Sequence, residues 1–191
     1  MTKYSLSGLE RLLLEGGVKP GSDDSVVHRP EICGDIDIRI ARDGTWHYLG
    51  SPIGRKPLVK LFASVLQRDA SGDFWLITPA EMCRISVDDA PFNAVEMSVD
   101  SEELGQVFRF RTNIDEVVTA GPDHAIRVAI DQETGEPAPY IMVREGLEAL
   151  IVRSVFYELV ERGEERYING KKMLTICSNG VVFEIGPLDD A

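Results

Sequence analysis

Basic and hydroxyl side chains gather at two places where an anion could be held. Ser51, Arg55 and Lys56 stand just before one apolar helical pattern, and Arg144 and Gly146 stand before another. A helix start offers unsatisfied amide hydrogens and the positive end of its dipole, and arginine adds a planar two-point clamp for phosphate. The opposing expectation is that Arg55, Lys56 and Arg144 are solvated or pair with nearby glutamates. Arg109 and Arg111 share one face of a strand, because side chains alternate with a period of two. With Thr112, Asn113 and Asp115 they form a second polar group, which also reads as an Asx-type turn. Tyr48 and Tyr140 could stack a base or pack in a core.

Other reactive residue types are arranged less suggestively. Asp88 and Asp89 could serve a metal or acid-base pair, yet neighbours on a strand point to opposite faces, and Pro91 favours a turn or capping role. His47 and His124 lie outside HxH, HxxxH and HExxH spacings, so a hydrogen-bonded neutral imidazole is expected for each. Dinucleotide, P-loop and serine-hydrolase glycine motifs do not occur, and no catalytic residue, cofactor or metal site is assigned. Cys33, Cys83 and Cys177 are odd in number, far apart and without CxxC spacing, so they are expected as reduced thiols.

Composition narrows the class of partner. A formal charge of −12 opposes a broad grip on polymeric nucleic acid, which needs clustered cations to replace phosphate counterions. A small anion in a local basic pocket is compatible with that charge. The apolar fraction of 43% suffices for a real core, and neither a leader nor a membrane-length apolar run is found, so a cytoplasmic chain that binds no membrane is expected. A monomer and a homodimer are both open.

The elements that must position these residues follow from periodicity. Ser7 with Glu10 caps a helix closed by Gly16-Gly17, and Lys19 to Pro30 reads as a linker. Ile36, Ile38 and Ile40 alternate with polar residues as a strand, which turns at Arg42 to Thr45 into Trp46 to Leu49. Leu58, Leu61, Phe62, Val65 and Leu66 then mark a helix with Pro57 at its start. Phe74 to Ile77 is a strand, Thr78 to Glu81 a capped single turn, and Arg84 to Val87 a strand. Further strands are expected at Phe92 to Val99, Gln106 to Arg111, Val117 to Ala120 and Ala125 to Ile130. The last stretch has hairpins at Asn169-Gly170 and Asn179-Gly180. Tyr48 to Arg68 and Tyr140 to Arg162 look like two copies of one strand-helix-strand unit, in which Leu61, Phe62, Val65 and Leu66 match Val155, Phe156, Leu159 and Val160. The expected organisation is an arm and linker over residues 1–30, a first repeat over 31–90 and a second over 91–191.

The runs WHYLGSPIGRKPLVKLFASVL, LITPAE, ISVDDAPF, FRTNIDEVV and PYIMVREGLEALIVR together resemble a bacterial family known as domain of unknown function 1285. The resemblance spans nearly the whole chain from Trp46 onward. It implies an α+β fold with internal duplication and antiparallel sheets, the later half loosely similar to pleckstrin-homology-like barrels. It also implies a site between the halves for a nucleotide-like ligand and a part in signal transduction. The expected function is therefore a non-enzymatic regulatory or ligand-binding module, with Ser51, Arg55, Lys56, Arg109, Arg111, Asn113, Tyr140 and Arg144 facing the ligand. A protein-interaction scaffold, and a hydrolase or transferase using Asp88, Asp89 or His124, are the alternatives.

Overall fold

Three antiparallel strands, a nine-residue helix and three more antiparallel strands occur in that order twice along the chain. The computed structural model describes residues 31–102, 105–131 and 134–188. The expected N-terminal helix and linker lie outside them. Two compact units result, one ending at Asp88 and the other beginning at Asp89. The fold is α+β and mostly sheet, and no helix among the described residues is long and apolar enough to cross a membrane.

In the first unit β1 (Glu31–Ile40), β2 (Trp46–Tyr48) and β3 (Ser51–Pro52) precede α1 (Lys56–Ser64). Then come β4 (Leu66–Arg68), β5 (Phe74–Ile77) and β6 (Glu81–Val87), in one sheet of order β3-β2-β1-β6-β5-β4. Its neighbours are antiparallel except β1 and β6, which run parallel. Ile38 and Ile40 are buried on the inner face of β1, as alternation requires. α1 lays Leu58, Phe62 and Ala63 into the core, where the Phe62 ring stacks on Trp46 with centroids 6.1 Å apart. The helix is shorter than its apolar pattern suggested. Val65 caps it by donating back to the Phe62 carbonyl, and Leu66 instead opens β4 and pairs with Leu76 of β5.

Two further expectations are corrected in this unit. Thr78 does accept the amide hydrogens of Ala80 and Glu81, but Glu81 already belongs to β6, so the segment is a strand turn rather than a helical one. Cys33 and Cys83 are joined as a disulfide with Cα atoms 5.3 Å apart, rather than standing as separate thiols. Parallel pairing of β1 on β6 brings together residues 50 positions apart, which sequence spacing does not reveal. Cys177 alone is a free thiol.

The second unit contains β7 (Phe92–Glu102), β8 (Gly105–Thr112), β9 (Val117–Thr119), β10 (Ile126–Ile130), β11 (Pro137–Arg144) and β12 (Leu147–Ile151). They form one sheet of order β10-β11-β12-β7-β8-β9, with β12 and β7 parallel. After α2 (Arg153–Glu161), β13 (Glu164–Ile168), β14 (Lys171–Ser178) and β15 (Val181–Pro187) make a three-stranded sheet, with β14 beside β8 and β15 beside β10. Asn169-Gly170 and Asn179-Gly180 turn its hairpins with φ of 51°, 77°, 48° and 75°, the left-handed values that asparagine and glycine tolerate. Arg144 and Gly146 are not at a helix start. They belong to the β11–β12 hairpin, and α2 begins only after Val152.

A fully buried hydroxyl stitches the two sheets of this unit. Ser178 accepts the Phe108 amide at 3.0 Å and donates to the Ala120 carbonyl at 2.8 Å. Ser178→Ala would orphan a buried donor and a buried acceptor, so it should destabilise the unit by about 1–3 kcal/mol in urea unfolding. An unchanged midpoint would show that the hydroxyl is dispensable.

Candidate functional site

The first unit presents Ser51 on β3 and Arg55 and Lys56 at the start of α1, all exposed. Arg55 is the N-cap residue, and the first turn contains no carboxylate. The backbone contribution is smaller than a bare helix start would offer. Pro57 has no N–H, while the amides of Leu58 and Val59 both donate to the Arg55 carbonyl at 2.9 and 3.1 Å. Side chains must therefore supply most of any hold on an anion. The turn into β3 adds a second feature: Leu49 sits at φ 49° and is 64% exposed. A branched residue in the left-handed region is strained, and exposure gives Leu49 little burial to offset it.

The other predicted residues belong to the second unit and are engaged within it. Arg109 on β8 reaches Asp100 and Glu102 on β7, and Arg111 binds Glu96 at 2.6 Å and Asp115 at 3.2 Å. Asn113 accepts the Asn93 amide at 3.1 Å and donates its own amide to the Asn93 carbonyl, so it pins the start of β7. Arg144 lies over the Phe92 ring at 5.4 Å and approaches Glu116 at 3.8 Å. Tyr140 is 8% exposed, and its hydroxyl donates to Asp89 at 2.7 Å. These contacts place the five residues in the internal bonding of their unit.

Sequence reasoning missed the partners that complete this arrangement. Arg127 stacks over Tyr140 at 4.2 Å and donates two bonds of 2.6 Å to Glu148, because register aligns Arg127, Tyr140 and Leu150 across β10, β11 and β12. Ala90, Ala129 and Ala138 pack around the tyrosine. The cross-strand register was the missing signal. The Glu148 carboxylate beside Arg127 holds that guanidinium in its charged form more firmly than usual.

The remaining candidates also have structural partners. Asp88 accepts two bonds from Arg39, one of 2.8 Å, and His124 Nδ1 lies 2.9 Å from the Met142 carbonyl. A groove of about 360 Å³ on the first unit is lined by Asp35, Asp73, Phe74, Arg84 and Ser86 among others. Its arginine binds Asp35 at 2.7 and 3.0 Å and reaches Asp73 at 3.5 Å, so an anion entering it would have to displace carboxylates.

Two family models match the chain. The one described as the N-terminal domain of unknown function DUF1285 covers residues 27–90, and the one described as the C-terminal domain of DUF1285 proteins covers residues 91–185. A crystal structure of a DUF1285 family protein from Silicibacter pomeroyi DSS-3 is 41% identical, with a TM-score of 0.82 over 98% of this chain and 97% of that one. One from Shewanella baltica OS155 is 25% identical, with a TM-score of 0.52 over 66% of this chain and 91% of that one. No curated protein matches.

Charge pairing in the first unit has a consequence at low pH. The Arg84 guanidinium holds the Asp35 carboxyl below the ordinary aspartate value of 3.8, the Trp75 indole N–H does so for Asp69, and Arg39 does so for Asp88. A carboxyl whose pKa is depressed on folding contributes stability above its ordinary value and loses it as the pH falls through the lowered one. The urea midpoint should therefore fall once the pH drops below about 4, and Asp35→Asn and Asp88→Asn should flatten that fall. An acid limb identical in both variants would assign the loss to other groups.

Proposed function

The chain belongs to the DUF1285 family, and from that premise we propose that it is a non-enzymatic binding module for a small anionic, nucleotide-like ligand, acting in cytoplasmic signalling. The observation that carries this reading is the exposed edge of the first unit. There Ser51, Arg55 and Lys56 flank a helix start without a carboxylate in its first turn, next to the strained and exposed Leu49. The φ values of Leu49 and Gly50, 49° and 75°, are those of the two-residue hairpin turn joining β2 to β3, and that turn holds the Leu49 side chain out beside the cations. In a chain of net charge −12, Arg55 and Lys56 set two exposed cations side by side, a local concentration of positive charge of the kind that attracts an anion.

A second reading concerns the second unit, whose curled sheets and single helix support a loosely pleckstrin-homology-like, protein-interaction role. Tyr167, 76% exposed on the edge strand β13, favours it, since aromatic side chains at open sheet edges suit strand-wise docking. Cross-linking that recovers the same neighbours from wild type and Tyr167→Lys would sink this reading.

The primary reading is tested by thermal shift against nucleotides, dinucleotides and inorganic phosphate. A ligand at a hundred times its Kd adds about 2.7 kcal/mol, which raises the midpoint by several degrees. The Arg55→Ala, Lys56→Ala double variant should lose that shift while its own midpoint stays unchanged. A flat screen at millimolar ligand, or a shift that survives both substitutions, would overturn the assignment.

A further inference from the structure

The parallel seam of the first unit gathers two sulfurs and a carboxylate. Among the described residues, Cys33, Glu81 and Cys83 bring one ligand atom each within 4.8 Å of one another. Glu81 and Cys83 are two apart on β6 and so project to the same face, while Cys33 arrives from an irregular step in the register of β1. The backbone of Glu81 is held at both ends by Thr78, whose Oγ1 accepts its amide at 3.0 Å and donates to its carbonyl at 3.1 Å. Its side chain has an oxygen, Oε2, that is buried and without a hydrogen-bond partner. A buried carboxylate oxygen left in that condition is costly, and a cation is the partner that removes the cost.

We propose that, with the Cys33–Cys83 disulfide opened, the two thiolates and the Glu81 carboxylate hold a zinc-class divalent ion, so that metal and disulfide are alternative states of one site. Thiolate ligands at about 2.3 Å and a carboxylate at about 2.1 Å in tetrahedral geometry stand roughly 3.5–3.8 Å apart, which side-chain rotation within the present cluster can reach. Three protein ligands leave one position for water. The disulfide opens by exchange with a dithiol, which supplies two electrons and two protons and itself closes to a disulfide. The two protons on the new thiols leave as the metal binds. In the oxidised state the sulfurs are bonded to each other and are lost as anionic ligands. A CxxC pattern is not needed, because the ligands come from two strands that only the fold brings together.

The test uses the full chain, reduced with a phosphine or left oxidised, titrated with zinc against a chromophoric chelator and separately with cobalt. The reduced chain should take up one zinc and give a thiolate-to-cobalt charge-transfer band, and the oxidised chain should do neither. Cys33→Ser and Cys83→Ser should each weaken zinc binding by at least about 100-fold, and Glu81→Gln by about 10-fold, the range over which altered groups at metal sites act. A reduced chain that takes no zinc overturns the site, as does binding that persists when both cysteines are serine. Binding untouched by Glu81→Gln overturns the three-ligand assignment. Should the serine variants fail to fold by circular dichroism, the comparison of reduced with oxidised wild type and the Glu81→Gln titration still decide.

Discussion

Parallel pairing of β1 with β6 is the constraint on which the first unit depends. It joins the first and last strands of the unit, and three links cross it at nearly constant separation: Cys33 to Cys83, Asp35 to Arg84, and Arg39 to Asp88, 50, 49 and 49 residues apart. A constant offset is what a parallel ladder produces. The links are unequal in energy. Both ion pairs are substantially exposed, with Arg39 and Arg84 at 55% and 43%, so each contributes little against solvent screening. A cross-link closing a loop of this length removes about 4 kcal/mol of chain entropy from the unfolded state in the usual account. The covalent bond and the buried isoleucines of β1 therefore hold the seam, and the arginines bridge it from the exposed side.

The second unit answers the same topological demand without a disulfide. Its parallel pair is β12 on β7, where Ala149, Leu150 and Ile151 align with Phe92, Asn93 and Ala94. Ser178 then ties the three-stranded sheet onto β8 and the end of β9 through two buried bonds. Around this frame Arg109, Arg111, Arg127 and Arg144 are met by carboxylates on neighbouring strands or turns. Such pairing uses positive charge inside the unit: Arg109 and Arg111, which share a face as alternation requires, are each met there by two carboxylates. Face-sharing is a local property. What a side chain meets on that face depends on the strand beside it.

That distinction decides what could be read from the chain alone. Ile36, Ile38 and Ile40 announced a strand by their own spacing, and the two Asn-Gly turns carried their conformation in residue type. Phe74 to Ile77 was equally legible, because an apolar run between turn residues needs no partner to be recognised. Leu66 was misplaced because apolar residues continue from α1 into β4, and periodicity cannot see that Leu76 competes for it as a strand partner. Arg144 and Gly146 were misplaced for a related reason: the hairpin of β11 and β12 intervenes between them and α2. The duplication itself was visible, but as strand-helix-strand, since the outer strands of each triplet are too short or too polar to stand out. Ser51-Pro52 is the extreme case. The Cys33–Cys83 bond and the Arg127–Tyr140–Asp89 arrangement lay beyond reach, for both exist only through register.

The two features of the first unit from which binding is proposed rest on different supports. α1 is held to the sheet by Phe62 stacked on Trp46 and by the burial of Leu58 and Ala63, none of which involves the seam. The Cys33, Glu81 and Cys83 group lies at the opposite end of β1 from the Trp46 pairing, since Trp46 aligns with Ile40 and Glu31 aligns with Glu81. The ladder pairing of β1 with β6 continues past the cysteines to Ile40 and Val87, and the buried face of Ile38 and Ile40 is made without the sulfurs. The cysteine group and the helix start at Arg55 therefore draw on different contacts of the sheet. The seam is strong where its core is apolar and adjustable where its ligands are soft, and a site that alternates between two covalent states requires that separation.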